Sequence, residues 1–265
     1  MRFSVITVCL NNLEGLKKTH NSLEMQTYIN FEWIVVDGGS VDGTLAFLEK
    51  IKQNTTHMRF VSEPDKGLYD AMNKGIRMAR GDYLVFMNSG DMFAMDDTLA
   101  HVSAVIEENP ETIFIYGDSL DVDSEGKLYH RKARNHQEIY RGMITQHQSM
   151  FFARFEGEQK LFYSDKYRYS SDYDYIIRYL NLCKNKESII HIREPLSRFQ
   201  LGGLNETRRF KAIREDFLIR KRQLNMGWMQ NTILMGAHFL HTHLKRLFPG
   251  LMKKVRYSPV EKGMS

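Results

Sequence analysis

The sequence predicts an α/β protein with a mostly parallel central sheet and helices on both of its faces. The first observation is that short apolar, β-rich runs alternate with segments of helical spacing over residues 3–91, an order typical of parallel strands joined by helices. The second is that each apolar run ends in a polar loop, as expected where ligands bind beyond the carboxyl ends of strands. The third is a strongly basic C-terminal segment, which predicts a helical tail outside the sheet.

Four strands and three helices are predicted in the alternating part. The strands are expected at residues 3–10, 31–39, 58–65 and 82–91. The helices are expected at residues 14–26, 42–53 and 67–81. In the last helix, apolar residues recur at the three- and four-residue spacing of a face that packs on a sheet. That face consists of Leu68, Ala71, Met72, Gly75, Ile76 and Ala79.

The composition is that of an ordinary soluble globular protein, with 42% hydrophobic and 26% charged residues in a chain of 265. The two cysteines, Cys9 and Cys183, form neither a disulfide framework nor a zinc pattern, so a reducing compartment is expected. The apolar run at the N-terminus has no small-residue cleavage site and is interpreted as a buried strand. No stretch reaches the roughly 20 apolar residues of a membrane span.

Positive charge is concentrated at the C-terminal end of the chain. Residues 207–256 hold twelve Lys and Arg against two acidic residues, a net charge of +10, whereas residues 1–206 sum to −5. An apolar stripe at helical spacing accompanies this charge within residues 231–255. The stripe consists of Ile233, Leu234, Ala237, Leu240, Leu244, Leu247 and Phe248. Basic charge beside an apolar stripe predicts a helix that lies on an anionic membrane surface. A helix that packs on the rest of the protein would explain the apolar stripe equally well, but it would not explain the basic charge.

Polar residues follow four consecutive predicted strands, at residues 11–12, 37–40, 63–65 and 88–91. Because the carboxyl ends of parallel strands meet at one edge of a sheet, these loops are expected to build one site. The alternative for any single loop is a plain turn, since Gly, Asn and Asp are common turn formers. Four such loops at the same edge favour a binding site.

Six sequence words in a fixed order resemble family 2 glycosyltransferases of the GT-A fold. The words are FEWIVVDGGSVDGT (31–44), FVSEPDKGLYDAMNKGI (60–76), NSGD (88–91), HQSMFF (147–152), SSDYDY (170–175) and GGLN (202–205). The resemblance extends over residues 3–205 and is strongest to the bacterial exopolysaccharide and O-antigen branch, which includes the colanic acid biosynthesis transferases. The resemblance depends on all six segments occurring in this order, and none of them alone would be sufficient to indicate the family.

The resemblance implies a GT-A catalytic domain over residues 1–205, with a nucleotide-sugar half at 1–118 and an acceptor half at 119–205. A basic amphipathic helical tail is expected over residues 206–265. The implied reaction is inverting transfer of a sugar from a UDP- or GDP-linked donor to a hydroxyl group of a glycan acceptor. The acceptor is expected to be lipid-linked and to serve bacterial surface polysaccharide synthesis. The protein would then bind it in the cytoplasm, at the inner face of the bacterial inner membrane. The tail is expected to attach the protein there.

The NSGD word indicates a metal site with a single carboxylate. Other family members carry Asp where this chain has Asn88 and Gly90, and Asp91 aligns with their metal-binding Asp. One carboxylate can hold Mn²⁺ or Mg²⁺ when phosphates and waters fill the other positions. The resemblance therefore implies that Asp91 is the metal ligand. The alternative is an Asp that caps a following helix.

The resemblance also implies which residues bind the donor. Asp37 aligns with the family's nucleotide contact, and Gly38 stands where other members often carry a second carboxylate that touches the base. Tyr69 and Asn73 are four residues apart, share a helix face and are assigned to the nucleoside or the donor sugar. The complete donor set is Val8, Asn11, Asp37, Gly38, Glu63, Asp65, Tyr69, Asn73, Asn88, Ser89 and Gly90.

The acceptor hydroxyl must lose a proton as it attacks the anomeric carbon, and a carboxylate is a common base for this step. Asp172, at the start of a predicted buried helix, aligns with the family's base. Its structural alternative is an Asp that stabilises the helix dipole. Asp174 faces elsewhere and is expected only to help position the site. The acceptor or diphosphate region is assigned His147, Gln148, Asp174, Gly202 and Gly203, the two glycines as a flexible lid or an ordinary linker.

Two other classes of protein are considered. A nucleotidyltransferase or dinucleotide-binding enzyme would carry a G-x-G-x-x-G or Lys-rich phosphate loop after the first strand, and VCLNNLEG (8–15) supplies neither. A nucleic-acid-binding protein would interleave its basic residues with stacking aromatics, whereas the tail interleaves them with Leu, Ile, Phe and Met. A nucleic-acid partner is therefore not expected.

Overall fold

The computed structural model describes residues 3–201, 209–248, 250 and 257. The strands in these residues are β1 (Phe3–Cys9), β2 (Phe31–Asp37), β3 (Met58–Ser62), β4 (Tyr83–Phe86), β5 (Met92–Phe93), β6 (Phe114–Val122), β7 (Leu128–Arg131), β8 (Met150–Ala153) and β9 (Ile189–Gln200). The helices are α1 (Leu13–Glu24), α2 (Thr44–Lys52), α3 (Leu68–Met78), α4 (Thr98–Glu108), α5 (Ser171–Leu182), α6 (Arg209–Gln223) and α7 (Trp228–Leu247). The expected lid glycines, Gly202 and Gly203, and the expected domain boundary at residue 205 lie outside the described residues.

The predicted alternation of strands and helices is present from β1 to β4. One element differs: the strand expected over residues 82–91 ends at Phe86, and a turn precedes the short β5. The turn forms because Gly90 has a φ of 105°, a left-handed conformation that favours glycine. The N–H group of Asp91 closes it by donating to the carbonyl oxygen of Asn88 at 2.9 Å.

The central sheet is parallel on one side and mixed on the other. Its strand order is β3-β2-β1-β4-β8-β6-β9-β5, with β7 paired to β6. The strands β3, β2, β1 and β4 pair in parallel, as the alternating sequence predicts. Beyond β4 the pairs β4–β8, β6–β8, β6–β7 and β5–β9 are antiparallel, and β6–β9 is parallel. The sheet therefore continues past the parallel unit with strands of both directions.

The sheet is buried on both faces, which explains the near-continuous apolar sequence of its strands. All seven residues of β1 are buried. Successive side chains of a strand point to opposite faces, and Ile6 and Val8 accordingly join one apolar cluster while Val5 and Cys9 join the other. Helices cover both clusters, so the polar chemistry of the protein is left to the strand ends.

The register of β4 against β8 positions the most important turn. Tyr83 pairs with Ala153, and Val85 pairs with Phe151. Continuing this antiparallel register past the two strands leads to Asn88 on one side and Gln148 on the other. The NSGD turn after β4 and a short 3-10 helix before β8, His147–Ser149, are thereby brought together across the sheet.

Two helices form the described part of the C-terminal region. Helix α6 packs against α5 and buries Ile213 and Ile219 completely, so it is part of the packed body. Helix α7 packs on α6, with the rings of Phe210 and Phe239 stacked at 5.3 Å. The other side of α7 presents apolar side chains that are more than half exposed: Trp228, Met229, Ile233, Leu240 and Leu247, followed by Phe248. Among the described residues, no helix combines the length and the hydropathy that crossing a bilayer requires.

Helix α3 packs closely on the sheet at Gly75. A Cβ atom at Gly75 would lie 2.3 Å from Cγ2 of Ile6 in β1, so we expect Gly75→Ala to lower the free energy of unfolding by about 1–3 kcal/mol through overpacking. Gly236 in α7 is the matched control, because no atom lies within 4 Å of a Cβ built there. Gly236→Ala should raise stability by about 0.5–1 kcal/mol. Urea unfolding measures both, and equal effects of the two variants would contradict the close packing.

Candidate active site

The turn after β4 is held by residues of α1. The hydroxyl of Thr19 lies 2.8 Å from the carbonyl oxygen of Asp91 and accepts the N–H group of Gly90 at 3.0 Å. Asn12 caps α1, and its side-chain amide donates to the carbonyl oxygen of Ser89 at 3.0 Å. The Ser89 hydroxyl donates back to the carbonyl oxygen of Asn12 at 3.0 Å. The backbone of the turn is therefore fixed before any ligand binds.

The carboxylate of Asp91 is buried at the end of this turn, with 6% of the residue exposed. The side-chain amide of Gln148 donates to its Oδ2 atom at 2.5 Å. Burial raises the pKa of Asp91 from 3.8 to about 7, although the Gln148 hydrogen bond opposes the shift. A carboxylate that resists ionisation in this way would be stabilised by a nearby cation.

The residues at this turn fit a divalent cation whose coordination a ligand completes. The part of the chain that the structure describes contains no group of three His, Cys, Asp or Glu able to hold a metal, so Asp91 is a single carboxylate. Beside it in the sequence, the Oδ1 atom of Asn88 is buried without a hydrogen-bond partner among the described residues. Carboxylate and amide oxygens are the ligands that Mg²⁺ and Mn²⁺ prefer. The strand β5 follows Asp91 directly, so the alternative of a helix cap does not apply.

A row of aromatic rings connects Gln148 to the acceptor half. The imidazole of His147 stacks on Phe86 with ring centroids 4.9 Å apart, and its Nε2 atom lies 2.7 Å from the Tyr163 hydroxyl. Burial lowers the pKa of His147 to about 3, so the ring is neutral near pH 7. Tyr163 in turn stacks on Tyr69 at 5.4 Å. We therefore assign His147 a positioning role, because a neutral, buried ring cannot serve as a charged group for a diphosphate.

The row ends at Asp172, in the first turn of α5. The Tyr69 hydroxyl donates to Oδ1 of Asp172 at 3.3 Å. Burial raises the pKa of Asp172 to about 6, and the nearby carboxylate of Asp216 contributes to the increase. A base with this pKa is ionised at pH 7 yet binds a proton readily. Asp91 and Asp172 are thus joined by a continuous series of contacts through Gln148, His147, Tyr163 and Tyr69.

Asp174 is engaged in the packing of α5 on α6. Its Oδ2 atom accepts from Arg178 Nε at 2.6 Å, and its Oδ1 atom accepts from Gln223 at 2.8 Å. The residue is 1% exposed. Because both carboxylate oxygens already have partners, Asp174 holds two helices together and does not face the Asp172 side of α5, as its spacing predicts.

Asp37 organises the loop after β2. Its carboxylate, which is fully buried, accepts from the Ser62 hydroxyl at 2.6 Å and from the N–H group of Ser40 at 3.1 Å. A Cβ atom at Gly38 would lie 3.0 Å from Oδ2 of Asp65. A side chain at Gly38 would therefore be in tight contact with the Asp65 carboxylate, and an acidic one would also be repelled by it.

The remaining donor candidates surround the same edge of the sheet. The side-chain oxygen of Asn11 accepts the N–H group of Val41 at 2.9 Å, and the carbonyl oxygen of Val8 accepts the N–H group of Ser89 at 3.1 Å. Lys74 forms ion pairs with Glu63 at 2.8 Å and with Asp65 at 2.6 Å. These contacts tie the loop after β1 to the loop after β2, the turn after β4 to β1, and the loop after β3 to α3.

The side chain of Asn73, assigned from the sequence to the nucleoside or the donor sugar, binds the backbone of Tyr163. Its amide nitrogen donates to the carbonyl oxygen of Tyr163 at 3.0 Å, and its oxygen accepts the N–H group of Tyr163 at 2.8 Å. Both groups are used to fix the segment that carries Tyr163. Tyr69, expected at the nucleoside or donor sugar, likewise has its hydroxyl directed to Asp172.

Sequence reasoning missed the residues that hold the site in place. Thr19 and Tyr163 carry no charge and lie outside the six sequence words, whereas Ser40 and Ser62 lie inside two of them without a role of their own; the role of all four follows only from distances across the fold. One signal was available for Thr19, which recurs at helical spacing with Leu16 and Leu23 on the buried face of α1. A hydroxyl group on an otherwise apolar helix face requires a hydrogen-bond partner.

The chain belongs to glycosyl transferase family 2, whose family model matches residues 4–165. An uncharacterised glycosyltransferase of Mycobacterium tuberculosis is 39% identical over 119 residues, which are 44% of this chain and 45% of that protein. The chain thus spans less than half the length of that relative. The PGL/p-HBAD biosynthesis glycosyltransferase of Mycobacterium bovis is 31% identical over 211 residues, which are 77% of this chain and 79% of that protein.

Solved structures agree with the fold. The structure of S. aureus TarS 1-349 in complex with UDP-GlcNAc has a TM-score of 0.63 at 18% identity and covers 92% of this chain and 73% of its own. The mannosyltransferase PcManGT from Pyrobaculum calidifontis, in complex with GDP-Man and Mn²⁺, has a TM-score of 0.63 at 15% identity and covers 96% of this chain and 73% of its own. The predicted α/β fold of the GT-A type is confirmed.

The raised pKa of Asp91 generates a prediction about the metal-free protein. Between its ordinary pKa of 3.8 and its folded value of about 7, the folded state keeps a proton that the unfolded chain has lost. The free energy of unfolding should therefore fall as the pH rises through this window. Asp91→Asn removes this titration, so its stability relative to the unchanged protein should increase from pH 4 to pH 7, by at most about 4 kcal/mol.

Urea unfolding at several pH values in the presence of a chelator measures this difference. The comparison of the two proteins cancels the contributions of other titrating groups, including Asp172. A stability difference that stays constant from pH 4 to pH 7 would contradict a protonated Asp91 in the metal-free fold.

Proposed function

We propose that the protein is an inverting glycosyltransferase that moves a sugar from a UDP- or GDP-linked donor to a hydroxyl group of a lipid-linked glycan acceptor in bacterial surface polysaccharide synthesis. The observation that carries the proposal is the contact series that joins Asp91 to Asp172 at one edge of the sheet. One carboxylate serves the donor half, residues 1–118, and the other serves the acceptor half, residues 119–205. Family membership establishes the transferase, and the donor, acceptor and stereochemistry are the proposed parts.

On the donor side, Asp91 and Asn88 would hold Mn²⁺ or Mg²⁺ together with the diphosphate of the donor. The metal supplies positive charge that stabilises the diphosphate as it leaves. The hydrogen bond from Gln148 orients the Asp91 carboxylate, and the ordered turn keeps Asn88 in place. The parallel strand ends and the loop around Asp37 would receive the nucleoside, as ligands bind outside the carboxyl ends of such strands. The complex of PcManGT with GDP-Man and Mn²⁺ supports a donor of this class.

On the acceptor side, Asp172 acts as the general base. An acceptor oxygen forms a bond to the anomeric carbon as the bond from that carbon to the diphosphate oxygen breaks, and the acceptor proton passes to the Asp172 carboxylate. Attack opposite the leaving group inverts the anomeric centre. The Tyr69 hydroxyl donates to the same carboxylate and restricts its rotation. This use of Tyr69 explains why a tyrosine expected at the donor is found beside the base.

Replacement of the base tests the reaction. Asp172→Asn should lower kcat by roughly 10²- to 10⁴-fold, the usual scale for loss of a general base, with little change in donor KM. In the unchanged enzyme, kcat/KM should fall below about pH 6, because protonation removes the base. Steady-state rates across pH measure both effects.

Asp174→Asn is the control for this experiment. It should mainly lower stability, since Asp174 ties α5 to α6 through Gln223 and pairs with Arg178 within α5, and the pH profile of the folded protein should not change. A large loss of kcat for Asp174→Asn with a near-normal rate for Asp172→Asn would overturn the assignment.

The C-terminal region is proposed to attach the protein to an anionic membrane. The apolar side chains of α7 that face solvent, among them Ile233 and Leu240, are more than half exposed, and Lys245 and Arg246 lie in the last turn of the same helix. Apolar area can enter the acyl boundary while basic groups meet anionic headgroups, each contributing about 1 kcal/mol. The basic residues Lys253, Lys254 and Arg256, which lie outside the described residues, would add to the attraction. An acceptor carried on a lipid would be presented at this surface.

Co-sedimentation with vesicles that contain an anionic phospholipid tests the attachment. The full chain should bind, and added salt should weaken binding because surface charges are screened. Leu240→Glu should reduce binding strongly, whereas Gln230→Glu, which adds the same charge at another exposed position of α7, should have a smaller effect. Equal binding by the two variants, or no binding by the unchanged chain, would contradict an interfacial helix.

A further inference from the structure

A buried arginine lies in α6 with too few partners for its charge. Arg220 is completely buried, and its Nε atom donates to Oδ1 of Asn231 in α7 at 2.7 Å. Its two terminal nitrogens, Nη1 and Nη2, are buried without a hydrogen-bond partner among the described residues. An arginine does not lose its proton in a protein, and an unpaired buried charge is costly. The Asp216 carboxylate interacts with Arg220 electrostatically, but the two terminal nitrogens still have donors to offer to a further anion.

Two further arginines, Arg134 and Arg209, add positive charge in the region of Arg220, where His238 also lies but is neutral near pH 7. The side chains of Arg134 and His238 both approach Gly142. A Cβ atom built on Gly142 would lie 3.9 Å from Arg134 Nη2 and 3.8 Å from His238 Cε1. The Nδ1 atom of His238 is also buried without a hydrogen-bond partner among the described residues. Burial lowers the pKa of His238 to about 4, and repulsion from Arg220, Arg209 and Arg134 contributes. We call these four residues, Arg134, Arg209, Arg220 and His238, the arginine cluster.

The carboxylates near the cluster do not balance its charge. Asp216 faces Arg209 with 3.8 Å between Oδ2 and Nη2. Glu215 accepts three backbone N–H groups before the start of α5 at 2.8–3.0 Å, and Glu138 is paired with Arg141 at 3.3 Å. Among the described residues, Asp216 is thus ion-paired with Arg209, and Arg134 donates to the carbonyl oxygens of Gly142 and Met143 at 3.0 and 2.8 Å, whereas the terminal nitrogens of Arg220 have no such partner.

The cluster lies on the acceptor side of the site. Its members come from the chain before the 3-10 helix His136–Arg141, from α6 and from α7, and α6 packs on α5, which carries Asp172. Asp216, the carboxylate partner of Arg209, is near enough to Asp172 to help raise its pKa. The cluster thus draws residues from α6, which packs on the helix that carries the proposed base, and from α7, the helix proposed to contact the membrane.

We propose that the arginine cluster binds the phosphate or diphosphate group of the acceptor. Guanidinium groups form paired, charge-assisted hydrogen bonds to phosphate oxygens, and the vacant donors of Arg220 are of the required kind. The inference rests on the proposed function for the identity of the acceptor. The site itself, a receptor for a phosphate-bearing anion, depends only on the geometry of the cluster.

Titration calorimetry with inorganic pyrophosphate, in the presence of a chelator and without donor, tests the site. The unchanged chain should bind, and Arg209→Gln should bind about tenfold more weakly, a loss of about 1.4 kcal/mol. Arg209 is chosen because 44% of its side chain is exposed, so the variant should fold. Arg222→Gln, an exposed position on the same helix, is the matched control and should bind like the unchanged chain.

Further experiments distinguish this site from the proposed nucleotide site and from a site for lipid headgroups. Asp37→Asn, which alters the proposed nucleotide loop, should leave pyrophosphate binding unchanged. Farnesyl diphosphate should compete with pyrophosphate, whereas vesicles that contain phosphatidylglycerol should not.

Competition by vesicles would assign the cluster to a lipid headgroup and overturn the acceptor assignment. Absence of binding, or equal binding by Arg209→Gln and Arg222→Gln, would overturn the site. Loss of turnover in Asp172→Asn would be unaffected by these outcomes, so the reaction and the anion site are tested apart.

Discussion

Antiparallel pairing of β4 with β8 brings the two halves of the protein into contact at the site. It sets Asn88 and Gln148 at corresponding positions beyond the two strands, and the Gln148 amide then reaches the Asp91 carboxylate. His147, next in the chain, is stacked on Phe86 of β4 and contacts Tyr163. A shift of register by one residue would turn alternate side chains to the opposite face. It would separate the turn of residues 88–91 from the row of aromatic residues that leads to Asp172.

Desolvation governs the chemistry of both carboxylates. Burial raises the pKa of Asp91 to about 7 and that of Asp172 to about 6, but the surroundings of the two differ. Asp91 has a neutral amide as its side-chain partner and lies in the same turn as a vacant amide oxygen, which suits a cation. Asp172 has a phenol partner and a carboxylate neighbour, which suits a proton. Two similar groups can thereby serve opposite halves of one reaction.

The sequence predicted the parallel unit well because each of its signals is local. The apolar runs of β1 to β4, the helical spacing of α3 and the polar strand ends can all be read within a few residues. The contact of Gln148 with Asp91 and that of Tyr69 with Asp172 join residues 57 and 103 positions apart, which no local pattern encodes. The mixed strands beyond β4 were missed for the same reason, since β8 and β9 depend on long-range pairing. The unpaired charge of Arg220 became visible only when its burial was known.

The central claim is that the turn ending in Asp91 takes a metal-bound nucleoside diphosphate. Thermal unfolding with UDP or GDP, each with and without Mn²⁺, tests it most directly in the unchanged chain and in Asp91→Asn. A ligand at a hundredfold excess over its Kd raises the free energy of unfolding by about 2.7 kcal/mol. We expect one nucleotide to raise Tm by several degrees only when Mn²⁺ is present, and we expect Asp91→Asn to lose this rise. An equal rise in the variant, or no rise with either nucleotide, would contradict the claim.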